Sequence, residues 1–293
     1  MRDLVDVASS SYATTSSYIG YIDGYVKHAH QRHGLGNVLF MINAALACGG
    51  EAVLVNTSNV LLGTSRAFGR RRTTRPYTST LLRRFRLVQR RPRAVSASLR
   101  GGHGAFASAP VCPNTSFIVR TFAQSPHFAA SVPTLLRRLA WPSPSQLELP
   151  PSRAAKYAAL LAGGSRGTCV GVRAGRDFAH RPISAAQYAI ALSHLRSLGE
   201  RIQPLFVLGD VEDAWSAFEP TVGEPATQID EDDVTQLALS RHCRNFVVSQ
   251  SSFHVWMAYA AVKPRHVLIF NGTDPINTGL YSPRWMARPW VIL

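Results

Sequence analysis

Apolar positions in the second half of the chain follow two alternating patterns. Short runs at Thr168–Val172, Leu205–Leu208, Asn245–Val248 and His266–Phe270 have the length and β-branched content of buried strands. Between them, apolar residues recur every third or fourth position over Ala185–Leu198, Asp232–Arg241 and Ser252–Val262, which is helical spacing. A shorter helix is expected around Glu212–Phe218. Gly199 stands where the first long helix should stop, and an aspartate, Asp232, opens the second. Strands and helices alternating at this interval predict a parallel sheet with helices on both faces, which places ligands beyond the carboxyl ends of the strands.

The first half opens the same way. His33–Phe40 leads into the apolar run Met41–Cys48, followed by Glu51–Asn56, which reads as loop, helix and strand. Residues 1–30, rich in Ser, Tyr and Gly, form an irregular lead-in with at most a short strand. Leu81, Leu82, Phe85 and Val88 have helical spacing within the Arg-rich stretch 64–100, where a surface helix and a mobile loop are both compatible with the pattern. The four prolines of Trp141–Ser152 mark a semi-rigid connection, dividing the chain into lobes 1–150 and 151–293.

Composition bounds the class. With 293 residues, 46% of them hydrophobic, the chain buries enough core to fold without staples. Its formal charge of +15 is unevenly placed: no carboxylate lies between Glu51 and Glu148, while Arg66–Arg93 carries eleven arginines. Such a face attracts phosphates, nucleic acid or acidic glycans, although an overall bias to arginine, with lysine only at Lys27, Lys156 and Lys263, accounts for it equally. Cys48, Cys112, Cys169 and Cys243 form no CxxC pair and no zinc spacing, and are expected to be buried free thiols. No run is long enough to span a bilayer and no basic-then-apolar leader opens the chain, so a cytoplasmic protein is expected, or a Golgi one if an anchor is missing from this sequence. On that expectation the sequons at Asn56, Asn114 and Asn271 are chance occurrences.

Candidate chemistry falls at the predicted strand ends. Arg173 and Arg176 follow the first strand of the second lobe, where guanidinium forks suit a diphosphate, with a salt bridge to Asp177 as the plainer alternative. Asp210 follows the next strand and could meet a ribose, a base or an acceptor hydroxyl, or cap a helix. Ser251 and Ser252 end a strand and start an apolar helix, forming a phosphate cradle or simple N-caps. In the first lobe Gly34, Gly36 and Asn37 make a tight loop delivering backbone N–H groups to a ligand, or a packing turn. Jointly these point to an interdomain cleft for a phosphorylated ligand. A P-loop and a GxGxxG fingerprint are absent from the sequence.

Five motifs in order over residues 33–260 resemble those of the α-1,2-fucosyltransferases, glycosyltransferase family 11. The family's GxLGNQLFQ loop is matched by Gly34, Leu35, Gly36, Asn37, Leu39 and Phe40, with Val38 for Gln. Its GYFQSxKYF segment is similar to Thr121–Phe128, its HxRRGD motif to Gly171–Asp177, its FSDD segment to Val207–Asp210, and its NSTFSWWAA motif to Gln250–Ala258, preceded by Cys243-Arg244. The resemblance implies an α/β, glycosyltransferase B architecture of two Rossmann-like lobes. It also implies inverting, metal-independent transfer of fucose from GDP-fucose to the 2-hydroxyl of a galactose-terminated glycan, with no cofactor. Arg173 would contact the donor diphosphate, Ser251, Ser252 and Phe253 the donor, and Gly36 and Asn37 the cleft; Asp177 is the candidate base. Gly171 and Ala174 replace the motif's His and second Arg, although Arg176 sits where it could reach the same phosphate. That departure leaves open another sugar nucleotide, or a degenerate scaffold binding polyanions through its basic face. Nucleic acid is not the expected partner.

Overall fold

The computed structural model describes residues 18–23, 34–55, 77–90, 92–99, 111–119, 126–162, 167–173, 183–209, 215–249, 251–270 and 290–293. In chain order the first part holds β1 (Ile19–Asp23), α1 (Leu35–Ala47), β2 (Glu51–Val55), β3 (Arg86–Val88), β4 (Phe117–Val119) and α2 (Val132–Arg138). Its sheet runs β3-β2-β1-β4 with every pair parallel. After the proline-rich connection come α3 (Pro151–Lys156), α4 (Ala158–Leu161), β5 (Thr168–Val172), α5 (Ala185–Ser197), β6 (Leu205–Gly209), α6 (Glu219–Val222) and β7 (Thr227–Gln228). The chain continues through α7 (Asp233–Ser240), β8 (Asn245–Val248), α8 (Ser252–Ala260), β9 (His266–Ile269) and β10 (Trp290–Ile292).

The second sheet runs β10-β9-β8-β5-β6-β7, again parallel throughout. Counted from its own first strand, β5, this is the doubly wound order 3-2-1-4-5-6, and the first sheet repeats its opening as 3-2-1-4. Two Rossmann-like lobes are the architecture expected of the glycosyltransferase B type. In each, strand order reverses beside the first strand, so the crevices lie at the carboxyl ends of β1 and β4 and of β5 and β8. Every residue of β5 and β8 is buried, as strands covered on both faces require, and this is why Cys169–Val172 and Phe246–Val248 do not alternate with polar residues.

Helix α1 is apolar nearly all round because it is enclosed on both sides, by β1 and β2 of its own lobe and by α8 of the other. Its buried amide, Asn43, is satisfied: Nδ2 donates to the Phe128 carbonyl at 2.8 Å and Oδ1 accepts from Ser131 Oγ at 2.8 Å. Phe40 meets the fully buried Trp256 of α8 edge to face, with centroids 5.0 Å apart, so one continuous core joins the lobes. The Ser184 and Gln187 capping box starts α5, and Gly199 at φ 76 closes it. Asp232 caps α7 by accepting from the Val234 and Thr235 amides at 2.9 and 3.0 Å.

Three sequence expectations change. Leu81, Leu82 and Phe85 are buried, but in tight turns feeding β3 and not in a helix: two apolar residues in consecutive turns mimic helical spacing. Of the short helix expected around Glu212–Phe218, residues 212–214 lie outside the described residues and 215–218 form turns, while α6 follows with Pro220 in its first turn. The cysteines are not free thiols. Cys48 bonds Cys112 and Cys169 bonds Cys243, with Cα separations of 5.3 and 5.8 Å. Their sequence separations, 64 and 74 residues, hid the pairing, which needs the strands and α1 in place before the sulfurs meet.

Candidate functional site

The carboxyl ends of β5 and β8 flank the crevice of the second lobe, and the chain places Arg173 directly after one and Ser249–Ser251 directly after the other. Arg173 Nη1 donates to Ser251 Oγ at 3.2 Å. Ser251 occupies the N-cap position of α8, yet its side chain makes no cap hydrogen bond; the hydroxyl faces the guanidinium instead. Plain capping therefore does not account for it. The Ser251 carbonyl accepts from Val255 N–H at 3.0 Å as α8 begins, and the first amides of a helix have no partner within it. A guanidinium and a helix N-terminus side by side concentrate positive potential, which is chemistry for an anion.

The first lobe closes on this point. Gly34 is the N-cap of α1, its carbonyl accepting from Asn37 and Val38 N–H at 3.0 and 3.2 Å, and Asn37 sits half-buried in the first turn. Gly36 abuts α8 so closely that a Cβ there would lie 2.5 Å from the Phe253 nitrogen and 2.7 Å from the Ser252 carbonyl carbon. Only glycine permits that approach. Ser252 and Phe253, partly buried, thus form the interlobe seam that Gly36 faces. Arg176, Asp177 and Asp210 lie outside the described residues; Gly209, preceding Asp210, ends β6 on the same sheet edge.

Behind Arg173 lies a group that the sequence did not mark. His254 is buried in α8, its Nδ1 2.5 Å from Ser249 Oγ in a hydrogen bond whose direction follows the ring's tautomer. Its imidazole fills the space beside Gly171: a Cβ at that position would come within 2.5 Å of Nδ1. The residue that the family motif would make histidine is glycine here, and an imidazole from the neighbouring helix stands against it. Tyr188 fixes the same strand end from the other side, donating its hydroxyl to the Gly171 carbonyl at 2.9 Å. No local pattern announces either contact, since each joins residues that only the sheet brings together. Cys243-Arg244, part of the sequence resemblance, is structural: Cys243 is in a disulfide and Arg244 pairs with Glu200 at 3.0 Å. Burial pushes the Glu200 carboxyl up, but Asn245, Arg244 and Arg265 together hold it below the ordinary value.

Burial, and then the charge of Arg173, holds the His254 pKa down from 6.5 to about 3. The folded ring is thus neutral at pH 7, while the unfolded chain takes up a proton below about pH 6.5. Stability contributed by the neutral ring is fully present above that value and falls as pH drops toward 3. The loss is at most about 5 kcal/mol. Urea unfolding at about pH 7.5 and about pH 4.5 should show a larger acid loss for the wild type than for His254→Gln. Equal losses would assign the acid sensitivity to other groups.

No protein-family model matches the chain, and no curated protein does. Among solved structures it is similar to a family 9 glycosyl transferase from Veillonella parvula, 11% identical over 96% of this chain and 87% of that one, with a TM-score of 0.44. POFUT1 in complex with GDP-fucose matches at 14% identity over 88% of this chain and 98% of that chain, TM-score 0.45. The fucosyltransferase NodZ from Bradyrhizobium matches at 13% identity over 88% and 97% of the two chains, TM-score 0.44.

Proposed function

We propose that this chain is an inverting glycosyltransferase that moves fucose from GDP-fucose to the 2-hydroxyl of a terminal galactoside without a metal or other cofactor. The observation that carries the reading is the convergence of Arg173, Ser251 and the start of α8 at the crevice of one lobe, with Gly36 of the other lobe packed against the first residues of α8. These positions are far apart in sequence and belong to separate motifs of the sequence resemblance.

The chemistry follows from the charges. The donor diphosphate would lie against the Arg173 guanidinium, the Ser251 hydroxyl and the first α8 amides, which face a developing negative charge as GDP departs. Because these positive groups are already fixed, they favour the transition state over the bound sugar nucleotide. Inversion requires the acceptor oxygen to attack C1 from the face opposite the leaving diphosphate, its proton passing to a base. Asp177 is assigned that role, Arg176 a second phosphate contact and Asp210 a contact to nucleotide or sugar, all three by their place in the sequence motifs. The neutral His254 ring, buried behind Ser249, supports this arrangement from within the core.

Calorimetric titration of GDP, GDP-fucose and UDP-sugars into metal-free protein tests the reading. GDP and GDP-fucose are expected to bind with micromolar Kd and UDP-sugars far more weakly. Turnover of UDP-sugars alone would replace fucose with another sugar. A second reading rests on the exposed guanidiniums of Arg83, Arg84, Arg86, Arg90 and Arg93, which suit a polyanion. It expects no nucleotide binding, and heparin affinity that falls linearly in log–log form with salt.

A further inference from the structure

We infer that Asn114 is an N-glycan acceptor and that the chain folds in an oxidising, secretory compartment. The argument begins with the cysteines. All four are paired, and one disulfide, Cys48 to Cys112, ends two residues before the asparagine. Glutathione and thioredoxin keep cytosolic thiols reduced, so a chain whose cysteines all meet in pairs fits a compartment in which those bonds form and persist. That compartment is also where sequons are read, which makes Asn114-Thr115-Ser116 chemically meaningful.

The geometry at Asn114 suits a glycan. The residue is exposed on a bend between Cys112 and β4, while Asn56 and Asn271 lie outside the described residues. The bend precedes β4, at the amino edge of the first sheet, and Cys48 caps the far end of α1 at that same edge. The thirteen residues of α1 put about 20 Å between this edge and the Gly36 end. A glycan here would stand clear of the crevice, leaving the donor and acceptor paths open.

The reaction balances with a lipid-diphosphate-linked oligosaccharide as donor. The Asn114 amide nitrogen bonds to C1 of the first sugar, the bond from C1 to the diphosphate oxygen breaks, the lipid diphosphate departs with the electron pair, and one amide proton passes to a base of the modifying enzyme. Ser116 bears on the timing. In the folded chain Ser116 Oγ accepts from the Ile19 N–H of β1 at 3.2 Å, which commits the sequon hydroxyl to the sheet. Modification before β4 docks beside β1 leaves that hydroxyl fully available to the modifying enzyme.

The full chain is expressed in eukaryotic cells behind a cleavable secretion signal, treated with peptide N-glycosidase and mapped by mass spectrometry. Asn114 should be converted to Asp, Asn114→Gln should remove one step of gel mobility, and Ser116→Thr should retain it. A secreted, disulfide-bonded chain with unmodified Asn114 overturns the glycan assignment. Thiol alkylation of the same chain made in a reducing cytosol tests the compartment: a fold carrying four free thiols with an unchanged melting temperature overturns that part. Neither readout involves the sugar nucleotide, so failure of the transferase reading leaves both results standing.

Discussion

Replacing Arg173 with alanine is expected to weaken GDP binding by roughly 30- to 1,000-fold, equivalent to about 2–4 kcal/mol. The size comes from the number of bonds lost. A guanidinium can present a fork of donors to a diphosphate, each charge-assisted bond contributing about 1.5–3 kcal/mol, and the negative charge left behind has no other described side chain of opposite sign at the strand ends. Arg173→Lys keeps a positive charge but not the fork, and should fall between the two. Folding should be affected less than binding, because Arg173 is only partly buried at the carboxyl end of β5. Calorimetry of both variants beside a thermal melt separates the effects. Undiminished affinity in a folded Arg173→Ala protein would move the diphosphate away from the crevice between β5 and β8, and the proposed chemistry with it.

The second large effect concerns two glycines two residues apart. Gly36→Ala should destabilise the protein by about 1–3 kcal/mol, the usual range for overpacking, and should also lower donor affinity. Its new Cβ would meet backbone, at 2.5 Å from the Phe253 nitrogen and 2.7 Å from Phe253 Cα, and backbone at a helix start cannot rotate aside as a side chain can. Relief requires α1 and α8 to separate, which loosens the Phe40 and Trp256 contact and displaces the Ser251 hydroxyl beside Arg173. Gly34→Ala, by contrast, should be nearly neutral: nothing lies within 4 Å of its Cβ position, and its φ of −65° and ψ of 164° suit any residue. Denaturant midpoints for the two variants give the comparison. If Gly36→Ala matched Gly34→Ala, the lobes would not meet at this glycine.

The contrast also separates what a motif announces from what it needs. Both glycines stood out in the sequence as one loop, yet only Gly36 carries an interlobe contact. The same holds for Ser251: its place before an apolar helix suggested a cap, and the tertiary arrangement turned its hydroxyl to Arg173. Gly171 read as a lost histidine because sequence records the position and not its neighbours. The buried imidazole of His254 stands there, supplied by a helix more than eighty residues along the chain.

By itself the sequence determined the local elements of the second lobe, since strand runs, helical spacing, the Asp232 cap and the Gly199 stop are short-range features, and alternation of the two periods requires a parallel sheet. It also marked Arg173, Ser251 and Gly36 as candidates, because the residue types suited to anions and close approach are few. Only the tertiary structure decided that the four cysteines pair, that Leu81, Leu82 and Phe85 lie in turns leading to a strand, and that Arg173 meets Ser251, His254 packs beside Gly171 and Gly36 abuts α8. Those outcomes depend on strand order and on the meeting of α1 with α8. Contacts between residues tens of positions apart are set by how whole elements pack, and no local periodicity encodes them.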